Sequence, residues 1–361
     1  MKLGFFFMML IVLASLSYVH TRVWQVLPLP IWAKAVVLSV MIAIFISFIL
    51  VYTYLDKHCS MEAVSFFYHL GNTWLMVLLY LFMAFVVLDV ARLIHLIPNA
   101  YFHNNWITAT SIFLVISSLF VYGNIHYHNK ERQSLQAKTS KTLSSSKKIV
   151  MISDLHLGYH NQRKTLSKWV DMINKENPDM VLIAGDVIDF SIKPLQEQKM
   201  WEEFQKIKVP IYACLGNHEY ISNRQEAKEF YRLSNITLLC DSVAEENDLL
   251  IIGRDDRSNK NRKSLQELLI NKDRSKYSIL LDHQPYNLSE AEENKIDFQF
   301  SGHTHYGQLF PINLITKLVY EKAFGEYSKG QTQYYISSGL GIWGAKIRIG
   351  TRSEYVVLTI N

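Results

Sequence analysis

The sequence predicts a helical membrane region followed by an α/β domain. Two observations support this fold class. The first third of the 361 residues contains four long apolar runs, and the rest of the chain alternates short strand-like runs with amphipathic helical segments. With 49% hydrophobic and 19% charged residues, the chain is too apolar for an ordinary soluble protein, and the excess lies in the first third.

The four apolar runs predict four membrane-spanning helices, because a helix needs about 20 residues to cross the hydrocarbon core. The second run, residues 35–55, contains no charged side chain over that length, and the other runs reach it with their polar flanks. Tryptophans at the ends of the runs favour the membrane interface. The predicted membrane domain covers residues 1–126, with helices at about 3–21, 35–55, 72–94 and 106–124.

Lysine and arginine are unevenly distributed between the two predicted sides of the membrane. One side carries Lys2, Lys57, Lys130, Arg132, Lys138 and Lys141, and the other carries Arg22, Lys34 and Arg92. This bias predicts a multi-pass protein of the cell (inner) membrane with a cytoplasmic C-terminal domain. The alternative is a cleaved N-terminal signal peptide, which would leave three spans and place that domain outside.

The chain becomes polar after the apolar third. Residues 127–147 are rich in serine and lysine, which predicts a linker. Residues 148–361 are predicted to form one domain, which is long enough to bury a full core. Predicted strands cover residues 149–153, 180–184, 210–215, 236–240, 249–252, 278–281, 298–301, 334–337 and 355–360, and predicted helices cover residues 162–175, 196–208, 224–233 and 264–270.

Five short motifs place aspartate, asparagine or histidine directly after an apolar run. They are MISDLHLG at 151–158, GDVID at 185–189, GNHE at 216–219, DHQP at 282–285 and GHTH at 302–305. In open α/β sheets, ligands gather beyond the carboxyl ends of the strands. We therefore expect these polar side chains to form one site.

The residue types in the five motifs indicate a metal site. Carboxylate and amide oxygens together with neutral imidazoles suit manganese, iron or zinc, and the motifs contain no cysteine. Two such cations, bridged by a carboxylate and a hydroxide, are a common arrangement for hydrolysis of phosphate esters. A separate histidine can protonate the leaving oxygen.

Other site classes are disfavoured by composition. The net charge is only +5, and no basic run is interleaved with aromatic residues, so no nucleic-acid partner is expected. The cysteines Cys59, Cys214 and Cys240 show no paired spacing. This spacing predicts neither a zinc ribbon nor a disulfide framework.

Residues 147–361 resemble the calcineurin-like metallophosphoesterases, in particular their membrane-associated bacterial branch. The resemblance rests on the five motifs, above all on SDLHLG at 153–158 and GHTHYGQ at 302–308. It implies a four-layer α/β/β/α sandwich in which two mixed sheets pack together with helices outside. It also implies two divalent or mixed-valence metal ions as cofactors.

The resemblance further implies a role for each polar residue. One metal ion would be bound by Asp154, His156 and His305, the second by Asn217, His283 and His303, and both by Asp186. His218 would act as the general acid, and Asp189 would orient it.

Two departures and one loop bear on the substrate. Protein phosphatases of this superfamily have Arg-Gly after the second aspartate, whereas Phe190 and Ser191 follow Asp189 here, so a phosphoprotein substrate is disfavoured. Tyr306 stands where the branch usually has glycine and is expected at the mouth of the pocket. Arg348, in a glycine-rich loop, is expected to meet a substrate phosphate, with a structural turn as the alternative.

The sequence therefore predicts a membrane-anchored hydrolase of phosphodiester or pyrophosphate bonds, with a membrane lipid or lipid-linked phosphoester as one possible substrate. The expected partners are this substrate and the lipid bilayer. The alternatives are a membrane sensor that hydrolyses a soluble cyclic nucleotide and a non-catalytic membrane scaffold. The apolar segment at 309–324 is expected to lie in the core, with a helix on the membrane surface as the alternative.

Overall fold

A computed structural model describes residues 2–137 and 139–361, with side chains from residue 10 onward. Met1 and Lys138, which enter the signal-peptide and charge arguments above, lie outside the described residues. The chain divides into two compact units, Met1–Gly123 and Asn124–Asn361.

The N-terminal unit consists of long apolar helices. They are α1 (Lys2–Val26), α2 (Ile31–Leu50), α3 (Asp56–His58), α4 (Met61–Leu93) and the first part of α5 (Trp106–His128), with a π-helical turn at Val51–Leu55 and a 3₁₀ turn at Asn99–Phe102. In the described part of the chain, three helical stretches are long and apolar enough to cross a membrane: Ile31–His58, Met61–Leu93 and Trp106–His128. They contain the second, third and fourth predicted spans. The first predicted span falls in α1, whose initial side chains are outside the described set, so a total of four spans stays a prediction.

The C-terminal unit contains the predicted alternation of strands and helices. Its strands are β1 (Lys130–Ala137), β2 (Lys147–Ile152), β3 (Met180–Ala184), β4 (Ile211–Cys214), β5 (Thr237–Leu238), β6 (Ser242–Glu246), β7 (Leu249–Gly253), β8 (Tyr277–Leu281), β9 (Phe298–Ser301), β10 (Gly325–Lys329), β11 (Thr332–Ile336) and β12 (Ser353–Ile360). Its helices after α5 are α6 (Arg163–Lys175), α7 (Lys193–Glu197), α8 (Trp201–Phe204), α9 (Asn217–Ser222), α10 (Arg224–Leu233), α11 (Leu265–Leu268), α12 (Ser289–Glu293) and α13 (Ile312–Val319).

The twelve strands form two mixed sheets of six. The first sheet has the order β1-β12-β2-β3-β4-β5, and the second has the order β10-β11-β9-β8-β7-β6. In the first sheet β2, β3, β4 and β5 run parallel, and in the second β7, β8, β9 and β11 run parallel. All five polar motifs follow the carboxyl ends of these parallel strands, where open sheets bind their ligands.

In the described part of the C-terminal unit, buried apolar side chains form three layers. Val150 and Ile152 of β2 pack with α6, α8 and α10, whereas the alternate residues Ile149 and Met151 face the second sheet. Beyond the second sheet, Leu280 of β8 packs with α11 and α12. The layers therefore follow the order helix, sheet, sheet, helix, and the predicted four-layer α/β/β/α sandwich is confirmed.

Part of the predicted linker at 127–147 is a strand, so the linker prediction was wrong there. Strand β1 pairs in parallel with β12 along its whole length, from Lys130 beside Ser353 to Ala137 beside Ile360. Only Leu135 and Ala137 of this strand are buried, in the layer between the sheets. Two apolar residues are too few to produce a recognisable alternating pattern.

The apolar segment at 309–324 does not lie in the core as expected. In α13 the polar Asn313 is the buried residue, and it lies close to the backbone of Gly307. The leucines face outward, and Leu318 is 88% exposed. The amphipathic pattern predicts a helix, but it does not show which face of that helix contacts the protein.

Candidate metal centre

The residues that follow the parallel strands turn sharply, because their backbone is left-handed. The φ angles are 54° for Asp154, 45° for His156, 51° for Asp186, 71° for His303 and 46° for His305. This region costs an L-residue roughly 1–2 kcal/mol, and it persists where surrounding contacts enforce it. Here backbone hydrogen bonds from Asp154 N to the carbonyl of Gly185 and from His156 N to the carbonyl of Asp186 join two of these turns.

Two glycines allow the loops to approach the carboxylates. A Cβ on Gly216 would lie 2.1 Å from Asp186 Oδ1, and a Cβ on Gly302 would lie 2.3 Å from Asp154 Oδ2. Any side chain at these positions would displace a carboxylate. The glycines that precede Asn217 and His303 are therefore part of the geometry of the site.

The first group of candidate metal ligands contains Asp154, His156 and His305. One ligand atom of each lies within 4.8 Å of the others. The Nε2 atoms of the two histidines are 3.0 Å apart, and Asp154 Oδ1 lies 3.5 Å from His305 Nε2. Asp154 and His156 are fully buried. Three donor atoms thus converge on one point, as expected for a metal ion held by carboxylate and imidazole.

The second group contains Asp186, His283 and His303. His283 Nε2 lies 3.1 Å from Asp186 Oδ2 and 3.2 Å from Asn217 Oδ1. His283 Nδ1 donates to the carbonyl of Ala184 at 2.7 Å, because a carbonyl oxygen can only accept. This bond fixes the imidazole so that Nε2 points at the other donors.

Asp186 connects the two groups. Its Oδ2 is 3.1 Å from His283 Nε2 in the second group and 3.7 Å from His156 Nε2 in the first. The structure therefore brings all seven predicted metal ligands to one place and sets Asp186 between the two groups. The expected bridging role remains a prediction that this placement fits.

The charges of these groups also fit divalent cations. Burial, together with the neighbouring Asp186, raises the pKa of Asp154. Burial lowers the pKa of His303 to about 4, so its imidazole is a neutral ligand at pH 7. Burial opposes a proton on His283, but the Asp186 carboxylate outweighs it and raises the pKa of His283. Buried carboxylates surrounded by imidazole nitrogens are stabilised when a cation is bound among them.

His218 stands beside the first group. Its Nδ1 donates to the backbone carbonyl of Asp189 at 2.9 Å, and its ring packs edge-to-face on His156 with centroids 4.5 Å apart. Its side chain is 14% exposed. The carbonyl fixes the tautomer of His218 and leaves Nε2 available for a substrate.

The Asp189 side chain has a different nearest neighbour from the one the resemblance implies. Its Oδ1 lies 3.3 Å from His156 Nδ1 but 3.6 Å from His218 Nδ1. The carboxylate of Asp189 is therefore closer to a metal ligand than to the candidate acid. His218 is oriented by the Asp189 backbone instead.

The two predicted substrate contacts are placed very differently. Tyr306 is half-buried, directly follows His305, and stacks on Phe324 with ring centroids 4.8 Å apart. Arg348 is fully buried, and its guanidinium donates to the carbonyls of His305 at 2.8 Å and Gly341 at 3.0 Å. A substrate phosphate cannot reach Arg348, so that prediction was wrong. Arg348 instead holds the backbone of a metal ligand.

Glu219 has a structural part in the site that sequence analysis did not assign. Its buried carboxylate accepts hydrogen bonds from the backbone N–H groups of Asp186, Val187, Ile188 and Gly216. It thereby ties the loop that carries Asp186 to the turn that carries Asn217. The only signal in the sequence was its place in the GNHE motif.

A cation and two tyrosines lie near the second group. Arg257 is exposed and stacks over the ring of Tyr286 at 4.3 Å. The Tyr286 hydroxyl is 3.1 Å from that of Tyr320, and the Tyr320 ring lies 6.3 Å from that of His303.

Comparisons with known proteins agree with this site. Residues 147–307 match the family described as calcineurin-like phosphoesterase. The chain is 33% identical over 256 residues to an uncharacterized metallophosphoesterase of Campylobacter jejuni, with 68% of each chain covered. It is 32% identical over 224 residues to an uncharacterized metallophosphoesterase of Helicobacter pylori, with 60% of each covered. It is 31% identical over 224 residues to a transmembrane protein with metallophosphoesterase domain from Danio rerio, with 57% of this chain and 51% of that protein covered.

The chain therefore belongs to the calcineurin-like metallophosphoesterases, and the predicted family is confirmed. Its apolar helices and its similarity to proteins named as transmembrane support membrane association. The chain spans 68%, 60% and 51% of the lengths of these three relatives.

Proposed function

We propose that this protein is a membrane-anchored phosphoesterase with a two-metal centre that hydrolyses phosphodiester or pyrophosphate bonds at the cytoplasmic face of the membrane. The observation that carries the proposal is the position of Asp186, whose Oδ2 lies 3.1 Å from His283 Nε2 and 3.7 Å from His156 Nε2. A carboxylate shared by two donor groups suits the paired ions that catalyse in-line phosphoryl displacement.

Each ligand set would hold one ion, and the donors suit manganese, iron or zinc. One ion would take Asp154, His156 and His305, the second would take Asn217, His283 and His303, and Asp186 would contact both. When bound, the ions would supply positive charge against the developing phosphoryl charge. The protein keeps their ligands fixed through buried hydrogen bonds such as that from His283 to Ala184.

His218 would protonate the leaving oxygen. Its Nδ1–H is committed to the carbonyl of Asp189, so the transferable proton sits on Nε2. The side chain is partly exposed, which suits a group that must meet a substrate. A positioned acid of this kind contributes about 10²–10⁴-fold to the rate.

Arg257 is a cation outside the candidate metal centre that would bind the substrate phosphate. Phe190 occupies the position of the protein-phosphatase arginine, whereas Arg257 is exposed above Tyr286. A guanidinium on an aromatic ring remains able to bind a phosphate oxygen. We expect Arg257→Ala to raise KM more than it lowers kcat.

The test is a substrate panel on the purified full-length protein with manganese. The panel contains an aryl phosphomonoester, an aryl phosphodiester, a cyclic nucleotide and a lipid-linked pyrophosphate. We expect turnover of the diester or the pyrophosphate, and a loss of about a hundredfold or more in Asp186→Asn. Asp171→Asn, at an exposed position of α6, is the matched control and should keep full activity. Turnover that survives in Asp186→Asn would contradict the proposal.

A further inference from the structure

An exposed apolar patch lies on α13 and the residue pair before it. We define the apolar patch by five side chains with exposed fractions between 46% and 88%: Phe310, Leu314, Ile315, Leu318 and Val319. The four helical members are spaced i, i+1, i+4 and i+5, so they share one face of the helix. The opposite face carries the buried Asn313.

The orientation of α13 is the reverse of that of an ordinary surface helix. An amphipathic helix in a globular domain turns its apolar face to the core and its polar face to water. In the same unit, α6 follows this rule, since Leu166, Trp169, Val170 and Ile173 are buried. A contiguous apolar face that points outward marks a surface that contacts another apolar phase.

The charge and aromatic residues around the apolar patch fit an anionic lipid surface. Between Gln308 and Tyr320 the sequence contains one charged residue, Lys317, and no acidic one. Lys317 is exposed. Trp343, which is 38% exposed, is joined to this segment because its carbonyl accepts from Gln308 Nε2 at 3.0 Å. Leucine, tryptophan and lysine together are typical of helices that lie in the membrane interface.

Chain connectivity keeps a bilayer within reach of the C-terminal unit. Helix α5 (Trp106–His128) is long and apolar enough to cross a membrane. Strand β1 begins at Lys130, with Asn129 as the only residue between them. The chain therefore passes from this helix into the sheet within one residue, so a helix held in a membrane tethers the C-terminal unit to that membrane by a short connection.

We propose that α13 docks on the membrane, with the apolar patch inserted into the interface of an anionic bilayer and Lys317 at the headgroups. The docking helix is short and directly continuous with the candidate metal centre. His305 lies seven residues before Ile312, and Tyr320, which faces His303, caps the helix C-terminus. A further consequence rests on the proposed hydrolysis. If that proposal holds, docking presents the candidate metal centre to phosphoesters carried in the bilayer.

The test measures the depth of a spin label in the full-length protein, reconstituted in vesicles of phosphatidylcholine and phosphatidylglycerol. Cys59 and Cys240, the two partly exposed cysteines, are first replaced by serine. Leu318→Cys then carries the label on the apolar patch. Ile270→Cys, at an isoleucine that is 61% exposed on a different element, is the matched control.

We expect the label at 318 to lose most of its relaxation by a water-soluble nickel chelate and to keep its relaxation by oxygen. The label at 270 should be relaxed strongly by the nickel chelate and weakly by oxygen. Equal access of the chelate to both labels would overturn the proposal. A label at 318 shielded in vesicles but open to the chelate in nanodiscs with one chain each would also overturn it, because a second copy would then be the partner. Activity on a soluble aryl phosphodiester, measured in parallel, tests the proposed hydrolysis separately.

Discussion

Asp189 contacts two histidines of the site through two different atoms. The family resemblance implies that Asp189 orients His218. In the structure the carboxylate is nearer to His156 Nδ1, at 3.3 Å, while the backbone carbonyl of Asp189 holds His218 at 2.9 Å. A residue can thus support two functional groups through two different atoms.

This division of roles makes Asp189→Asn informative. We expect the amide to interact more weakly than the carboxylate with His156 Nδ1. Metal affinity should therefore fall by about ten- to a hundredfold. At saturating metal, the contribution of His218 should persist, since the carbonyl remains. Metal titrations followed by activity measure the first effect, and the pH profile of kcat measures the second.

Asp171→Asn serves as the control for this substitution. If Asp189→Asn abolished the general-acid contribution of His218 and left metal affinity unchanged, the result would support a role of the carboxylate in orienting His218. It would contradict the role in supporting His156 that we assign to the carboxylate. The readout that separates the two is kcat for substrates with good and poor leaving groups, because a general acid matters most for the poor ones.

His283 determines a pH dependence of metal binding. The Asp186 carboxylate raises the pKa of His283 in the metal-free protein, which favours a proton on the imidazole. A metal ion must displace that proton from Nε2, and acidic conditions therefore oppose binding. We expect apparent affinity to fall by up to about tenfold per pH unit for each proton released.

Isothermal titration in two buffers of different ionisation enthalpy measures the number of protons released. Identical binding heats in both buffers, together with an affinity that does not change with pH, would rule out this account. The raised pKa of His283 determines the direction of this pH dependence. A lowered pKa would make metal binding independent of pH in this range.

The candidate metal ligands could be predicted from the sequence because their motifs combine residue type with position after a strand. Glu219 was not assigned, since a glutamate that accepts from backbone N–H groups and from the hydroxyl of Tyr231 has no chemical signature of its own. Arg348 was assigned wrongly for a related reason. A buried arginine satisfied by carbonyls and an exposed one that binds phosphate look the same in a sequence.

Among the elements of the site, the Asp186 loop and the N-terminus of α9 depend on each other through Glu219. We expect Glu219→Gln to place an NH₂ group against backbone N–H donors and to cost roughly 1–3 kcal/mol of stability. Glu197→Gln, at an exposed position of α7, is the matched control. Thermal unfolding and metal affinity are the measurements, and a variant equal to the control in both would disprove the role.

Strand β1 leads to a prediction about truncation. A chain that begins at Lys147 lacks β1 and exposes the edge of β12, together with the pocket left by Leu135 and Ala137. We expect its unfolding midpoint to lie roughly 10 °C below that of a chain that begins at Asn124, the first residue of the C-terminal unit. Equal midpoints would contradict a structural role for β1.

At this scale the sequence predicted strands β3, β4 and β7 well, because they are fully buried and form continuous apolar runs. It missed β1, β6 and β10, which carry few buried apolar residues. The partner of β1 is β12, which is distant in the chain, so no local pattern reveals that pairing. Strands β6 and β10 pair with the strands that follow them, β7 and β11, but none of their own residues is fully buried. The predicted helix at 196–208 is likewise divided into α7 and α8.

For the C-terminal unit as a whole, the candidate metal centre joins the two sheets. Asp154, His156, Asp186 and Asn217 follow strands of the first sheet, whereas His283, His303 and His305 follow strands of the second. Each donor group draws on both sheets. Bound metal would therefore oppose separation of the sheets.

Removal of metal should then lower the stability of the whole unit. Ligand present at about a thousand times its Kd stabilises the native state by about 4 kcal/mol, so we expect a chelator to lower the unfolding midpoint by roughly 10 °C. In Asp186→Asn the chelator should have little further effect. A midpoint unchanged by chelation in the unsubstituted protein would contradict this coupling.

The layer of side chains between the sheets has a further consequence. Phe300 and Leu281 lie in that layer, and each is followed within three residues by a metal ligand. The donor atoms converge within a few ångströms. A small displacement of one sheet relative to the other would therefore disrupt metal coordination before it unfolds the protein. Metal affinity should therefore report on the packing of the core. A conservative substitution of the buried Phe300 should lower metal affinity before it measurably lowers the unfolding midpoint.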